Sequence, residues 1–320
     1  MSHIRYIGQK LFVENLSIFN LAKKNKTPFY LYSSLQIKEN YLSFANSFKS
    51  VKPLICFAAK ANTNLTVLKI LGKLGSGADV VSGGELLKAI KAGIEPKKIV
   101  FSGVGKTEEE LRLAISKKIL LINVESESEA KLINRIGKRA NKKISIGFRL
   151  NPNVDAKTHK KISTGRAENK FGLSIENFTL FYKNIKKFKH LRIDALSVHI
   201  GSQILSDNPY KKTLNILLKV IRTLNIKLKY VDLGGGFGIS YRKKEKTLDL
   251  KDYAKHVSNF KKKLNCSIIF EPGRSLVGNT GILVSKVQYI KKGQNKDFVI
   301  LDAGMNDFMR PALYDATHDI

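Results

Sequence analysis

The sequence predicts an α/β protein, a TIM-type (β/α)8 barrel with β-rich flanks. Three observations carry this reading. Eight short apolar, β-rich runs recur, at 55–59, 78–82, 99–103, 120–124, 144–150, 195–201, 230–236 and 268–273. They are apolar on both faces, as strands buried between helices must be. Helical patterns separate them, at 65–74, 85–92, 109–116 and 129–140. Three of those helices open on a hydroxyl with a glutamate three residues later: Ser82/Glu85, Thr107/Glu110 and Ser126/Glu129. That spacing predicts capping boxes, in which the hydroxyl takes an orphan N–H and the carboxylate sits at the positive helix end. The same alternation builds an open doubly wound sheet. The count of eight favours closure, which removes both sheet edges.

Two longer gaps, 151–194 and 202–229, have room for an active-site loop and a long helix. Both ends break the pattern. Residues 1–30 precede the first barrel strand. Beyond Glu271 the chain turns strand-like, at 281–291 and 297–302, without long helices.

Composition narrows the classes. At 320 residues, with 43% hydrophobic and 26% charged residues, the chain can bury a large core without staples. Two cysteines, Cys56 and Cys266, exclude a disulfide framework and a cysteine zinc site, and suit a reducing cytoplasm. No apolar run reaches signal-peptide or membrane-span length, so a cytoplasmic protein with no membrane partner is expected. The 57 Lys+Arg against 26 Asp+Glu give a net charge of +31. The lysines fall in scattered clusters (23–26, 138–143, 242–246, 261–263) on different faces, as solvated lysines do. A nucleic-acid partner calls for one continuous basic face interleaved with aromatics, and is not expected.

In such barrels the reactive groups sit at the C-terminal ends of the strands. Those ends carry Lys60, Ser82, Ser102, Arg149, His199, Gly234–Gly236 and Glu271–Arg274. Lys60 lies at the mouth of an apolar strand, where desolvation should lower its pKa and make the amine a nucleophile for an aldehyde. The run Leu233-Gly-Gly-Gly-Phe-Gly238 ends strand seven, and its backbone can approach an anion closely. Glu271-Pro-Gly-Arg274 ends strand eight, and the loops after strands seven and eight are the usual phosphate site of a barrel. A lysine for a Schiff base, glycines for a phosphate and a carboxylate for a ring nitrogen together point to pyridoxal phosphate. Glu271 suits the nitrogen, and His199 can stack on the ring. The six histidines show no metal spacing, and no nucleophile-elbow motif is present.

These residues stand in a longer ordered set of motifs. They are Ala58-Ala-Lys-Ala-Asn62, Gly75-Ser-Gly-Ala-Asp-Val-Val-Ser-Gly-Gly-Glu85, Lys170-Phe-Gly172, His199-Ile-Gly-Ser-Gln203, Gly234-Gly-Gly-Phe-Gly238, Glu271-Pro-Gly-Arg274 and Arg310-Pro-Ala-Leu-Tyr314. In this order, over almost the whole chain, they resemble the diaminopimelate decarboxylases, within the barrel-fold pyridoxal-phosphate enzymes that include alanine racemase and ornithine decarboxylase. The resemblance implies a barrel over 31–275, with 1–30 and 276–320 as parts of one discontinuous β-domain. It implies that Lys60 holds the cofactor covalently, that His199 stacks on the ring and that Glu271 pairs with its nitrogen. Ser202, Gly235, Gly236, Gly273 and Arg274 would hold the phosphate. Arg274, Arg310 and Tyr314 would bind the carboxylates of diaminopimelate, and the enzyme would be a homodimer with a shared active site.

The chain also departs from that family. The family carries a later Cys-Glu-Ser motif, which reaches the partner's active site, and a later tyrosine near the cofactor. Neither Cys56 nor Cys266 lies in such a motif. A C-terminally truncated chain is therefore expected. Its β-domain would be incomplete, its active site unfinished, and Val284, Val287 and Val299 would be left exposed. A decarboxylase for another amino acid and a non-catalytic pyridoxal-phosphate-binding fragment are the alternatives. Arg310 argues against a diamine-forming substrate, and a fragment would not need Arg310 or Tyr314.

Overall fold

The structure, a computed structural model, describes residues 3–156, 164–165, 168–241 and 247–320. The chain opens with an antiparallel ribbon of β1 (Ile4–Ile7), β2 (Lys10–Val13) and β3 (Leu16–Ser17), followed by α1 (Ile18–Lys24) and β4 (Phe29–Tyr32). Helix α2 (Ser34–Ser47) is fastened at its start: Ser33 and Ser34 hydroxyls and the Leu35 N–H all donate to Glu14.

From there strand and helix alternate. The order is β5 (Leu54–Ala58), α3 (Leu65–Lys73), β6 (Gly77–Val80), α4 (Gly83–Lys91), β7 (Ile99–Phe101), α5 (Glu108–Ser116), β8 (Leu121–Val124), α6 (Glu127–Arg139), β9 (Ile144–Arg149), α7 (Ile175–Lys183), β10 (Leu191–Ser197), α8 (Asn208–Thr223), β11 (Tyr230–Asp232), α9 (Leu250–Lys262) and β12 (Ser267–Phe270). All eight expected strands are present, and they close in sequence order. Closure is made by β12 on β5, where Ile269 pairs with Leu54 and Phe270 with Ile55, both parallel. The expected long helix in 202–229 is α8. The lysine-rich cluster at 242–246 lies outside the described residues.

Helix caps follow the expected positions but not always the expected chemistry. Thr107 and Glu110 form a complete capping box on α5. Ser82 and Ser126 do cap α4 and α6. Their glutamates, however, reach one residue further back, Glu85 to the Val81 N–H and Glu129 to the Glu125 N–H. In both cases the N-cap is fully extended, which carries its own N–H out of the carboxylate's reach.

Helix-facing aromatics fix the loop after β11. Phe237 is buried against Phe44 of α2, Tyr210 of α8 and Phe270 of β12. The Tyr210 hydroxyl donates to the Gly235 carbonyl at 3.0 Å. The one side chain in the glycine run thus anchors it to the barrel wall.

After β12 come α10 (Arg274–Val277), β13 (Gly281–Val284), β14 (Val287–Lys291), β15 (Phe298–Leu301) and α11 (Arg310–Tyr314). Strand β13 pairs antiparallel with β4, Gly281 opposite Tyr32 and Val284 opposite Phe29. The two flanks therefore meet, as a β-rich unit beside the barrel. Strands β14 and β15 form a separate hairpin. Val287 and Val299 on it are 48% and 58% exposed, whereas Val284 is only 8% exposed, against expectation. Its pairing with β4 covers it. No described helix is long and apolar enough to cross a membrane.

Candidate active site

The C-terminal ends of the barrel strands converge on one cavity of about 180 Å³, lined among others by Lys60, Ser102, Arg149, Phe171, His199 and Glu271. Lys60 stands on a single 3-10 turn immediately after β5. Its Nζ donates to Asp79 Oδ2 of β6 at 2.6 Å. The lysine side chain is half exposed and lines the cavity. Burial would lower its pKa, as the sequence suggests, yet the charges of Asp79 and Glu271 and the bond to Asp79 outweigh it. The Lys60 pKa is raised. The expected depression does not occur, because sequence position does not reveal the carboxylates facing the amine.

His199, just beyond β10, is held through its backbone and its ring. Thr164 Oγ1 and Arg149 Nη2 donate to its carbonyl, at 2.6 and 3.3 Å. Gly235 N–H donates to its Nδ1 at 3.2 Å. Burial, then Arg149 and Lys60, lower its pKa well below the usual imidazole value. The ring is neutral, and with Nδ1 accepting, its proton sits on Nε2.

Glu271, just after β12, is buried and accepts from Ser102 Oγ at 3.3 Å. Burial, then Asp232 and Asp79, push its carboxyl well above the carboxylate range. Arg149 at the end of β9 pairs with buried Glu125 at 2.9 Å and lies over the Phe171 ring. Glu125 also accepts from Gly103 and Gly172 N–H groups. This explains Lys170-Phe-Gly172: Phe171 supplies a wall, and Gly172 turns with φ +72° where a Cβ would crowd the Arg149 carbonyl at 2.9 Å.

The glycine run lies beside His199. A Cβ on Gly235 would run into the Glu271 carbonyl, so only glycine lets this loop lie against β12. Gly234 N–H is taken by Asp232 Oδ1 and Gly235 N–H by His199, which leaves Gly236 N–H without a partner among the described residues. Gly273 packs its turn against that of Lys60; a Cβ there would meet those of Ala58 and Ala61 at 3.2 Å. Arg274 Nη2 reaches Ser202 Oγ at 3.5 Å, and its Nη1 donates to the Tyr241 hydroxyl at 2.6 Å. Arg310 lies over both the Tyr241 and Tyr314 rings, 5.1 and 5.6 Å from their centroids. Tyr241 thus brings Arg274, Arg310 and Tyr314 into one group.

Residues that sequence reasoning passed over are Asp79, Asn123, Glu125, Asp232 and Tyr241. The first two and Asp232 had a usable signal: each is a lone polar residue inside an apolar strand, and such a group is buried only with a partner.

The polar atoms left over suit a ligand. Asp79 Oδ1, Asn123 Oδ1, Ser197 Oγ and Arg274 Nε are buried without a hydrogen-bond partner. With an amine, a buried carboxyl and a neutral histidine around one cavity, and a glycine loop bonded to that histidine, these residues fit pyridoxal phosphate. The fold and the site together define a barrel-type pyridoxal-phosphate enzyme. Residues 34–278 match the family described as pyridoxal-dependent decarboxylase, pyridoxal binding domain. The chain is 44% identical over 321 residues to the diaminopimelate decarboxylase of Aquifex aeolicus, covering 99% of this chain and 76% of that one. It is 48% identical over 303 residues to that of Helicobacter pylori strain J99, covering 94% and 75%. The structure matches the Helicobacter pylori enzyme complexed with L-lysine at a TM-score of 0.90 and 46% identity, covering 94% and 76%. It matches the M. jannaschii enzyme in co-complex with L-lysine at 0.91 and 39%, covering 99% and 76%. The chain belongs to the diaminopimelate decarboxylase family, and spans about three quarters of the length of these relatives.

Proposed function

We propose that this chain removes carbon dioxide from meso-2,6-diaminopimelate to give L-lysine, with pyridoxal phosphate as cofactor. The observation that carries this is the convergence of Lys60, His199 and Glu271 on one cavity, with the glycine run bonded to His199 and with Arg274, Arg310 and Tyr314 assembled around Tyr241. The cofactor, when bound, takes up the electron pair released as the carboxylate leaves.

The protein's own groups do the rest. Lys60 would attach the cofactor, with Asp79 holding the amine when it is free. Neutral His199 would pack against the ring without adding charge. Glu271 would pair with the ring nitrogen. Ser202, Gly235, Gly236, Gly273 and Arg274 form the phosphate cradle, in which the unpaired Gly236 N–H and Arg274 Nε are ready donors. Arg274 and Arg310, which converge on Tyr241, are planar forks suited to a substrate carboxylate, and Tyr314 lies against Arg310.

We place the barrel at 31–275, and 1–30 with 276–320 in the β-rich unit; β4 crosses that limit because it pairs with β13. A homodimer with a shared active site is part of the same reading, supported by the exposed apolar hairpin β14–β15. Two unpaired cysteines support a cytoplasmic location.

The test is to load the chain with cofactor, reduce with borohydride and map the modified peptide, while assaying carbon dioxide release from meso-diaminopimelate. Label on Lys60 with release of carbon dioxide is expected. Label confined to another lysine overturns the assignment.

A further inference from the structure

The interior of a (β/α)8 barrel is ordinarily filled by layers of branched apolar side chains. Here β6, β8 and β11 contribute Asp79, Asn123 and Asp232 instead, each 2% exposed or less. Strands β8 and β11 are not neighbours in the sheet, yet Asn123 Nδ2 donates to Asp232 Oδ2 at 3.0 Å, across the barrel interior. The same amide reaches Ser102 Oγ at 3.2 Å, and Ser102 Oγ donates to Glu271 Oε1 at 3.3 Å. Glu271 in turn is hydrogen-bonded to Asp232. The four side chains close a ring. Gly234 N–H, from the glycine run, adds a bond to Asp232 Oδ1 at 3.0 Å.

Two carboxyls in hydrogen-bond contact need one proton between them. Both are buried, and their surroundings favour that arrangement. The charged and titratable groups facing the pair are Asp79 of β6, Lys60 after β5 and the Cys56 thiol of β5, with Arg149 of β9 acting on Lys60. Buried carboxyls cost stability unless hydrogen bonds and neighbouring charges offset their desolvation. Asp232 does not lie among the residues assigned above to cofactor or substrate.

We propose that Asp232, backed by Asn123, is a positioning residue for the decarboxylation: it holds Glu271, and the proton they share, where Glu271 meets the ring nitrogen. This rests on the reading of Glu271 as the partner of that nitrogen. An anionic Asp232 behind Glu271 makes Glu271 a stronger base, and a stronger base keeps the nitrogen protonated.

The test uses the cofactor-loaded protein and Asp232→Asn, a change of charge at constant size. The cofactor carries 15N in its ring, so the nitrogen's chemical shift reports its protonation directly. In the variant the nitrogen signal moves towards the neutral-pyridine position, kcat falls about tenfold or more, and KM stays within about threefold. The thermal midpoint of the cofactor-free variant at about pH 8 holds or rises, because a buried charge is gone. A purely structural role predicts the opposite pairing, a lower midpoint with an unchanged nitrogen signal, and that result overturns the proposal. So does a folded variant with unchanged nitrogen and unchanged kcat. A neutral nitrogen already in the unsubstituted protein sinks the Glu271 assignment itself, a different failure. If Asp232→Asn does not fold, Asn123→Ser moves the same signal in the same direction by a smaller amount, and no movement there refutes the ring's role.

Discussion

Lys60 shows how far a neighbour changes a residue's chemistry. Its amine is paired with Asp79, and that pair with the nearby Glu271 keeps it a cation despite burial. On the proposed reading, Lys60→Ala would remove covalent attachment, and it would also strand buried Asp79, whose Oδ1 already lacks a partner. The half-exposed lysine limits the cost to about 1–3 kcal/mol, seen as a lower thermal midpoint of the cofactor-free protein. Lys60→Arg keeps the pair, so the midpoint is retained while borohydride fixes no cofactor. Equal midpoints for the two variants would contradict the Asp79 account. Arg310 answers to a different logic. A lysine there offers a point charge where a planar fork meets a carboxylate. Arg310→Lys is expected to raise KM for diaminopimelate about tenfold with unchanged cofactor affinity. Normal KM would remove Arg310 from the substrate site. Lys60, His199 and Glu271 were legible in the sequence because each follows an apolar strand. Tyr241 was not, since nothing in its local pattern announces that two arginines converge on it.

At the scale of elements, helix starts do more than begin helices. Glu110 accepts from Thr107 N–H in its own capping box and from Gly83 N–H, the first residue of the neighbouring helix α4. One carboxylate therefore serves two adjacent helix ends. These bonds, to Thr107 first and then Gly83, hold its pKa below the usual 4.5. A depressed carboxyl contributes stability above the unfolded value and loses it as pH falls through the folded one. Glu110→Ala should cost about 1–2 kcal/mol near neutral pH, more than Thr107→Ala at about 1 kcal/mol. The gap to the unsubstituted chain should narrow below about pH 4.5 in denaturant titrations. A gap that stays constant with pH would mean the carboxylate's charge plays no part. The caps of α4, α5 and α6 were readable from three-residue spacing, but the second bond to Gly83 was not. It joins two helices that become neighbours only because their strands β6 and β7 pair in the sheet.

The whole molecule combines a closed barrel with a β-rich unit drawn from both flanks. The hairpin β14–β15 stands apart, every residue exposed, with Tyr289, Ile290, Val299 and Ile300 in the open. Such a patch seeks a partner. The unsubstituted chain should self-associate as concentration rises in sedimentation velocity. Ile290→Lys with Val299→Lys, a cross-strand pair on this hairpin, should keep it monomeric. Association unchanged by both lysines would place the contact elsewhere. The net charge of +31 opposes association, so the effect should strengthen with salt.

Periodicity, capping spacing and strand count favoured the barrel over an open sheet, because burial between helices imposes a local pattern on every strand, and the β12–β5 pairing closed it. Strand ends likewise marked Lys60, His199, Glu271 and the glycine run, because chemistry in this fold gathers at one rim. The lone polar residues Asp79, Asn123 and Asp232 were visible as exceptions to the pattern. Their partners were not, since those lie on strands far away in the chain. The protonation of Lys60, His199 and Glu271, and the cover over Val284, emerged only in three dimensions. Each depends on distances between distant segments, and electrostatic and packing energies follow distance in space rather than separation along the chain.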